Sequence, residues 1–362
     1  MDAKPTYKTT EVFGISTGIL SPSYVDRGDL DLKLARLLGR NTHIALRGES
    51  KCGKSWVRQK AVPDAITVQC RLSKSVKDFY TDALGQLGLR LVTEKTVASG
   101  FTGRLEAAEE IGVPILAKLA LRQNVDFKRD STEKSIPVGR DLSDLRFVSE
   151  IINTSDRRLV IEDFHYLAPD ERKAFAYDLK TLWDYKTYVI IIGIWAENNL
   201  LLHLNPDLAA RIEEVSIYWS AADLRKVLDS GSTALNLDFS IRIRDKLVED
   251  AYGTVGILQH LALNLLDEHG IQVTCEEEIV VDDPDKYEGV AMHYAEQLNA
   301  LYQTFATRVT SGIRKRQKST GIYAHMLRVV MDADVEKLTD GLSTDDIFQI
   351  AQRGNRASKR EV

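Results

Sequence analysis

The chain has 362 residues, of which 44% are hydrophobic and 28% charged, with a net charge of −5. This length suits two or three compact units, and the balance suits a cytoplasmic globular protein rather than one that coats nucleic acid indiscriminately. No apolar run approaches the roughly 20 residues of a membrane span, the opening MDAKPTYKTTE lacks the apolar stretch of a secretory signal, and Cys52, Cys70 and Cys275 are too scattered for a disulfide framework or a zinc site.

From Thr42 to about Trp219 short apolar runs alternate with helical stretches, which reads as an α/β architecture, a parallel sheet with covering helices. Strands are predicted at Thr42–Leu46, Ile66–Arg71, Arg158–Ile161, Tyr188–Ile194 and Val215–Trp219, each rich in Val and Ile and bounded by turn residues. Helices are predicted between them at Lys54–Lys60, Val76–Leu87, Leu142–Ile152 and Asp170–Tyr185. The stretch 89–140 breaks the rhythm as a long insertion, with helical sequence expected at Arg104–Ile111 and Ile115–Leu121 and a charged, flexible outer part, FKRDSTEK.

After Trp219 the pattern turns helical, at Ala221–Leu228, Ser240–Tyr252, Gly256–Glu268 and Gly289–Arg308. The expected organisation is therefore an α/β domain over 1–220, a helical lid over 221–308 and a C-terminal region over 309–362. That last region carries the basic run Arg314-Lys315-Arg316-Gln317-Lys318, then Gly321–Met331 and Ser343–Gln352, which read as the first two helices of a helix-turn-helix or winged helix. The groove-entering third helix is missing, because the chain stops at NRASKREV. The basic run reads either as a phosphate contact to DNA or as a solvated linker.

Gly48-Glu49-Ser50-Lys51-Cys52-Gly53-Lys54-Ser55 is a G-x-x-x-x-G-K-S motif lying between a predicted strand and a predicted helix, the context its mechanism requires. Glycines let the loop curl so that backbone N–H groups converge on phosphate oxygens, and the helix start adds its positive dipole end. Lys54 brings a point charge to the β- and γ-phosphates of ATP, Ser55 offers its hydroxyl to Mg²⁺, and Trp56 follows in the nucleotide-binding stretch. Arg158–Ile161 ends in Glu162 and Asp163, two carboxylates at the sheet edge where ligands gather in open α/β folds. By position Glu162 holds the metal shell through water and Asp163 orients or deprotonates the attacking water; the plainer reading is a pair that caps the next helix.

These residues resemble the AAA+ and STAND group of P-loop ATPases, which includes initiator and origin-recognition proteins and prokaryotic transposition and signalling ATPases, over Pro22 to about His269. Tyr24-Val25-Asp26-Arg27 resembles the adenine-contacting box of that group. By the same resemblance, Asn198 after the fourth strand is the candidate γ-phosphate sensor. Arg211 before the fifth is the candidate arginine finger for a neighbouring subunit, against a surface pairing with Glu213 or Glu214.

The order Glu162-Asp163 inverts the usual Asp-Glu, and Tyr252-Gly253-Thr254-Val255-Gly256 has neither the lid arginine nor the Gly-x-Pro of the two subgroups. The resemblance implies a homo-oligomeric ATP switch acting on a protein effector, as in antiphage defence. The alternatives are a DNA-associated initiator or transposition ATPase, and a scaffold that holds ATP with little turnover.

Overall fold

The computed structural model describes residues 5–94, 102–123, 125, 127–129, 134–138, 140–311, 322–334, 338 and 342–350. The chain forms two compact units, Met1–Pro284 and Asp285–Val362. In the first, α1 (Thr9–Val12) and α2 (Leu30–Leu38) lead into β1 (His43–Gly48), followed by α3 (Lys54–Ala61), β2 (Ile66–Gln69) and α4 (Val76–Gln86). The inserted segment holds β3 (Leu89–Glu94), β4 (Thr102–Ala107), α5 (Gly112–Gln123), β5 (Lys128–Arg129) and β6 (Lys134–Val138). The alternation resumes with α6 (Leu145–Thr154), β7 (Leu159–Glu162), α7 (Pro169–Asp184), β8 (Val189–Gly193), α8 (Leu200–Leu204) and β9 (Ile212–Ile217). It closes with α9 (Ala221–Leu235), β10 (Leu237–Phe239), α10 (Ile241–Asp250), α11 (Val255–Glu268) and β11 (Ile279–Val281).

Five strands make one parallel sheet in the order β2-β7-β8-β1-β9. The central β7 and β8, Leu-Val-Ile-Glu and Val-Ile-Ile-Ile-Gly, are buried along their whole length, as strands covered on both faces require. The edge strand β9 is instead mixed: Glu213 and Ser216 are exposed, and Val215 and Ile217 are buried. The five predicted strands and four intervening helices all occur, with ends shifted by no more than three residues. Local chemistry sets those ends: Asp144 accepts from the N–H groups of Arg146 and Phe147 at the start of α6, and Pro169 opens α7.

The insertion departs from expectation. Arg104–Ile111 is not a helix; Thr102–Ala107 is the strand β4, paired antiparallel with β3 and β6 in a separate four-stranded sheet, β3-β4-β6-β5. Its pattern places Leu105 inward between half-buried Arg104 and Glu106, and the cross-strand partners outweigh the helix propensity of Ala and Glu. Leu105, Ile136 and, from α5, Leu116 and Leu119 join the apolar core that runs through β2, β7, β8, α4, α6 and α7. In the charged stretch FKRDSTEK, expected to be flexible, Lys128–Arg129 form β5 and Lys134 opens β6, while 130–133 lie outside the described residues.

Beyond β9 the three helices α9, α10 and α11 are accompanied by a parallel pair, β10 and β11, that the helical reading missed. The second unit contains α12 (Pro284–Ser311), α13 (Ile322–Asp332) and a further helical stretch over 344–350, whose start Ser343 caps by accepting from the Asp346 N–H. The basic run Arg314–Lys318 lies outside the described residues.

Candidate functional site

The site is assembled at the C-terminal ends of the parallel strands. β1 ends at Gly48, where a Cβ would stand 2.6 Å from the Ile217 carbonyl and 2.7 Å from Cys52 Sγ, so only glycine lets the chain turn there. Lys51 and Gly53 then take left-handed backbone conformations, φ 60° and 85°, which curl the loop before Lys54 opens α3. The Lys54 ammonium folds back on its own loop, donating to the carbonyls of Gly48, at 3.0 Å, and Glu49.

A cavity of about 380 Å³ lies against this loop. Ser50 to Trp56 form one wall and Glu162, Asp163 and Ile194 another, while Val255, Gly256 and Gln259 of α11 and the segment Gly14–Thr17 complete it. α11 meets the loop directly: the Gly256 N–H donates to the Lys51 carbonyl at 3.2 Å, and a Cβ on Gly256 would lie 2.6 Å from Lys51 Cβ. The Gly14–Thr17 segment is tied to α3, since Trp56 Nε1 donates to Ser16 O at 3.0 Å and Gln59 Nε2 to Thr17 O at 2.8 Å.

The loop is braced from behind. The Cys52 carbonyl accepts from Arg27 Nη2 and from Trp219 Nε1, both at 3.0 Å, and the Arg27 guanidinium lies 4.0 Å from the Trp219 ring centroid. Burial holds the Arg27 pKa below its usual range. Tyr24, Val25 and Arg27 line a recess that shares Gly53, Trp56, Val255 and Gln259 with the main cavity. Tyr24 is held by its hydroxyl donating to Asp31 Oδ1 at 2.7 Å, and burial first, then this bond, raises its pKa.

The two carboxylates have different surroundings. Glu162 is buried and accepts from Arg58 Nε, 3.1 Å from Oε1, and from Gln69 Nε2, 2.7 Å from Oε2, while Arg58 Nη2 makes an ion-pair contact 3.1 Å from Oε1. Asp163 is half-buried with φ 57°, and its carboxylate makes no hydrogen bond or ion pair among the described residues. His165, next in this turn, takes the Ile194 N–H on Nδ1 at 3.3 Å, and burial lowers its pKa.

Ser50, Lys51, Cys52, Gly53, Lys54, Ser55, Trp56, Glu162 and Asp163 thus converge, while Gly48 and Glu49 lie off the cavity wall; Arg58, Gln69, Gly14–Thr17 and Gln259 join them without having been singled out in the sequence. Arg58 alone left a local signal, lying one helical turn beyond Lys54. Two candidates lie elsewhere. Asn198 is not on the cavity wall; its Oδ1 accepts from Arg47, which also pairs with Glu214 at 2.9 Å. Arg211 precedes β9 at the opposite end of the sheet, its guanidinium 4.9 Å from the Trp183 ring centroid and donating to the Asp207 carbonyl rather than to Glu213 or Glu214.

The chain therefore has an α/β P-loop NTPase fold, with the phosphate loop after β1 and the acidic pair ending β7, β8 lying between the two strands. Among solved structures it is similar to a Signal Transduction ATPase with Numerous Domains (STAND) protein with a tetratricopeptide repeat sensor from Pyrococcus horikoshii, at 13% identity over 94% of this chain and 40% of that one, TM-score 0.41. It is similar also to the Aeropyrum pernix ORC1 protein in complex with DNA (11% identity, 98% and 82% of the two chains, TM-score 0.44). A third is the Thermotoga maritima RuvB Holliday junction branch migration motor (10% identity, 87% and 85%, TM-score 0.40). The chain spans 40% of the length of the first of these. No family model and no curated protein matches it. No helix among the described residues is long and apolar enough to cross a membrane.

Proposed function

We propose that this chain binds ATP with Mg²⁺ in the cavity beside the phosphate loop and hydrolyses it as a conformational switch whose nucleotide state controls self-assembly and a partner effector. The observation that carries the reading is the curled loop Gly48–Ser55, of which Ser50–Ser55 line a cavity that Glu162, Asp163 and the start of α11 line as well. In this reading the loop amides and Lys54 take the phosphates, and Ser55 with a carboxylate at the end of β7 stands where a hard cation would find oxygen donors. The recess at Tyr24, Val25 and Arg27 takes the base end of the nucleotide. ATP lodged between α3 and α11 would change the contact between Gly256 and Lys51, which couples the site to the helices after β9. Arg211, at the far end of β9, cannot serve its own loop and would serve a neighbour's in a homo-oligomer.

Calorimetric titration with ATP, together with phosphate release at several protein concentrations, tests this reading. Saturable binding and multiple-turnover release are expected, with release per chain rising as protein concentration rises. Absence of any binding would discard the proposal. Binding without release at every concentration would favour the scaffold reading instead, which draws support from the tie between Glu162 and Arg58. A DNA-binding role rests on Arg314, Lys315 and Arg316, and salt-sensitive duplex binding that disappears on their replacement is its test.

A further inference from the structure

A divalent cation at a phosphate site competes for carboxylate oxygens with any cation the protein itself supplies. Here the protein supplies one. Arg58 follows Lys54 by one turn of α3 and so shares its face, and the β2–β7 register sets Gln69 level with Glu162 on the neighbouring strand. The two meet on the same carboxylate: Arg58 places Nε and Nη2 3.1 Å from Oε1, and Gln69 Nε2 lies 2.7 Å from Oε2. A carboxylate has about four lone-pair positions; two take N–H donors, one on each oxygen, and the Arg58 charge lies against Oε1 as well. Arg58 and Glu162 are both buried, so water screens the pair little.

One residue on, the situation reverses. Asp163 lines the same cavity, and neither its carboxylate nor the Ser55 hydroxyl makes a hydrogen bond or ion pair among the described residues. Hard cations that keep most of their waters need only one or two protein oxygens beside the phosphates.

We propose that Arg58 is a positioning residue that neutralises Glu162 and withholds it from the metal shell, leaving Ser55 and Asp163 as the side-chain donors for the divalent cation. The proposal rests on the nucleotide reading above. It reverses the roles that position in the strand suggests: the second carboxylate faces the metal, and the first is a structural anion clamped by α3 and β2.

The test is the ratio of ATP dissociation constants in EDTA and in Mg²⁺, measured by calorimetry for the wild type and for Glu162→Gln, Asp163→Asn, Arg58→Gln and the Arg58→Gln/Glu162→Gln pair. The amide oxygen of Glu162→Gln still accepts from Arg58, so its ratio stays within about twofold of wild type, whereas Asp163→Asn lowers it about fivefold or more, the scale of an ordinary coupling between bound ligands. Arg58→Gln exposes the Glu162 charge, which weakens binding in EDTA and raises the ratio about fivefold, and the double variant returns it to the wild-type value.

A ratio that collapses in Glu162→Gln and survives in Asp163→Asn overturns the assignment while leaving nucleotide binding intact. A wild-type ratio near one overturns it as well, since no side chain would then be holding the cation. Absence of ATP binding in both buffers removes the nucleotide reading and this assignment together. Should Arg58→Gln fail to fold, the two carboxylate variants decide alone.

Discussion

The two ends of the central sheet are built from the same strands and put to opposite uses. At the N-terminal ends, donors are spent on the protein's own carbonyls: Arg158 donates to Leu38 O and Thr42 O at 3.2 and 2.7 Å, Trp183 Nε1 to Asn41 O at 2.8 Å, and Thr42 Oγ1 to Arg211 O at 3.0 Å. At the C-terminal ends, Ser50–Ser55 and Asp163 line open space; Lys54 is spent on its own loop, but the Ser55 hydroxyl and the Asp163 carboxylate have no hydrogen bond or ion pair among the described residues. A parallel sheet aims its helix N-termini at that second end, so uncompensated donors collect there and suit an anion. The comparison teaches that polarity alone does not mark a site in this fold; polarity left without a protein partner does.

The sharpest way to break the comparison is Lys54→Ala. Because the ammonium rests only on its own loop, on the Gly48 and Glu49 carbonyls and Cys52 Sγ, its loss is expected to leave the core untouched and to remove a charge-assisted contact to phosphate. ATP affinity is expected to fall about a hundredfold, the upper end for a hydrogen bond to a charged group, while the melting temperature stays near that of the wild type. Equal affinity by calorimetry would show that the lysine belongs to its loop and not to a ligand.

The opposite end has its own probe in His43. This buried imidazole accepts the Val189 N–H on Nδ1 at 3.0 Å, so Nε2 carries the proton and donates to Leu179 O at 2.9 Å. Burial pushes its pKa down from 6.5 to about 4, against the weaker raising effect of the Leu179 bond. The unfolded chain therefore binds the extra proton first as pH drops, and stability declines below pH 6.5 and levels off below about 4. The full loss is about 3 kcal/mol, each tenfold drop in proton affinity being worth about 1.4 kcal/mol. Urea unfolding across that range should show a steeper decline in wild type than in His43→Gln; parallel curves would mean that another group is responsible.

Next in size is Gly256→Ala, which probes the contact of α11 with the loop. The added methyl group meets Lys51 Cβ at 2.6 Å and Lys51 O at 3.1 Å, and neither is the free end of a flexible chain. Overpacking of this kind costs about 1–3 kcal/mol, and relief comes most easily by moving α11 off the loop. ATP affinity is expected to fall about thirtyfold, the equivalent of the middle of that range. A variant that binds ATP as the wild type does would uncouple α11 from the nucleotide.

What the sequence made legible follows from distance along the chain. The phosphate loop occupies eight consecutive residues and the acidic pair two, each attached to a strand whose Val and Ile run declares burial, so loop, acids and central sheet were all readable. The partners of Glu162 were not, because Arg58 and Gln69 lie 104 and 93 residues away and meet it only through strand register and helix crossing. Gly14–Thr17 carries no motif, and it reaches the site through backbone carbonyls held by Trp56 and Gln59, a contact that side-chain identity at those positions does not encode. In the insertion, Arg-Leu-Glu-Ala-Ala-Glu-Glu has helical composition, and its first residues become strand because β3 and β6 flank them; that is tertiary context overriding propensity.

Arg211→Ala is the smallest expected change at the site and the one that separates the two ends most cleanly. β1 and β9 run in parallel with His43 level with Ile212 and Gly48 level with Ile217, so Arg211 and the phosphate loop stand a full strand apart, about 20 Å at 3.3 Å per residue. No rotamer of arginine covers that span, so ATP affinity in dilute solution should stay within about twofold of wild type, below a 0.5 kcal/mol effect. Losing the contact with the Trp183 ring should lower unfolding stability by about 0.5–1 kcal/mol. The guanidinium also keeps one buried donor, Nε, without a hydrogen-bond partner among the described residues, so its present contacts do not exhaust it. If protomers assemble with this end against a neighbour's loop, Arg211→Ala should abolish the rise of phosphate release with protein concentration while leaving single-chain binding unchanged. Release that still climbs with concentration in the variant would assign Arg211 to the closed end alone.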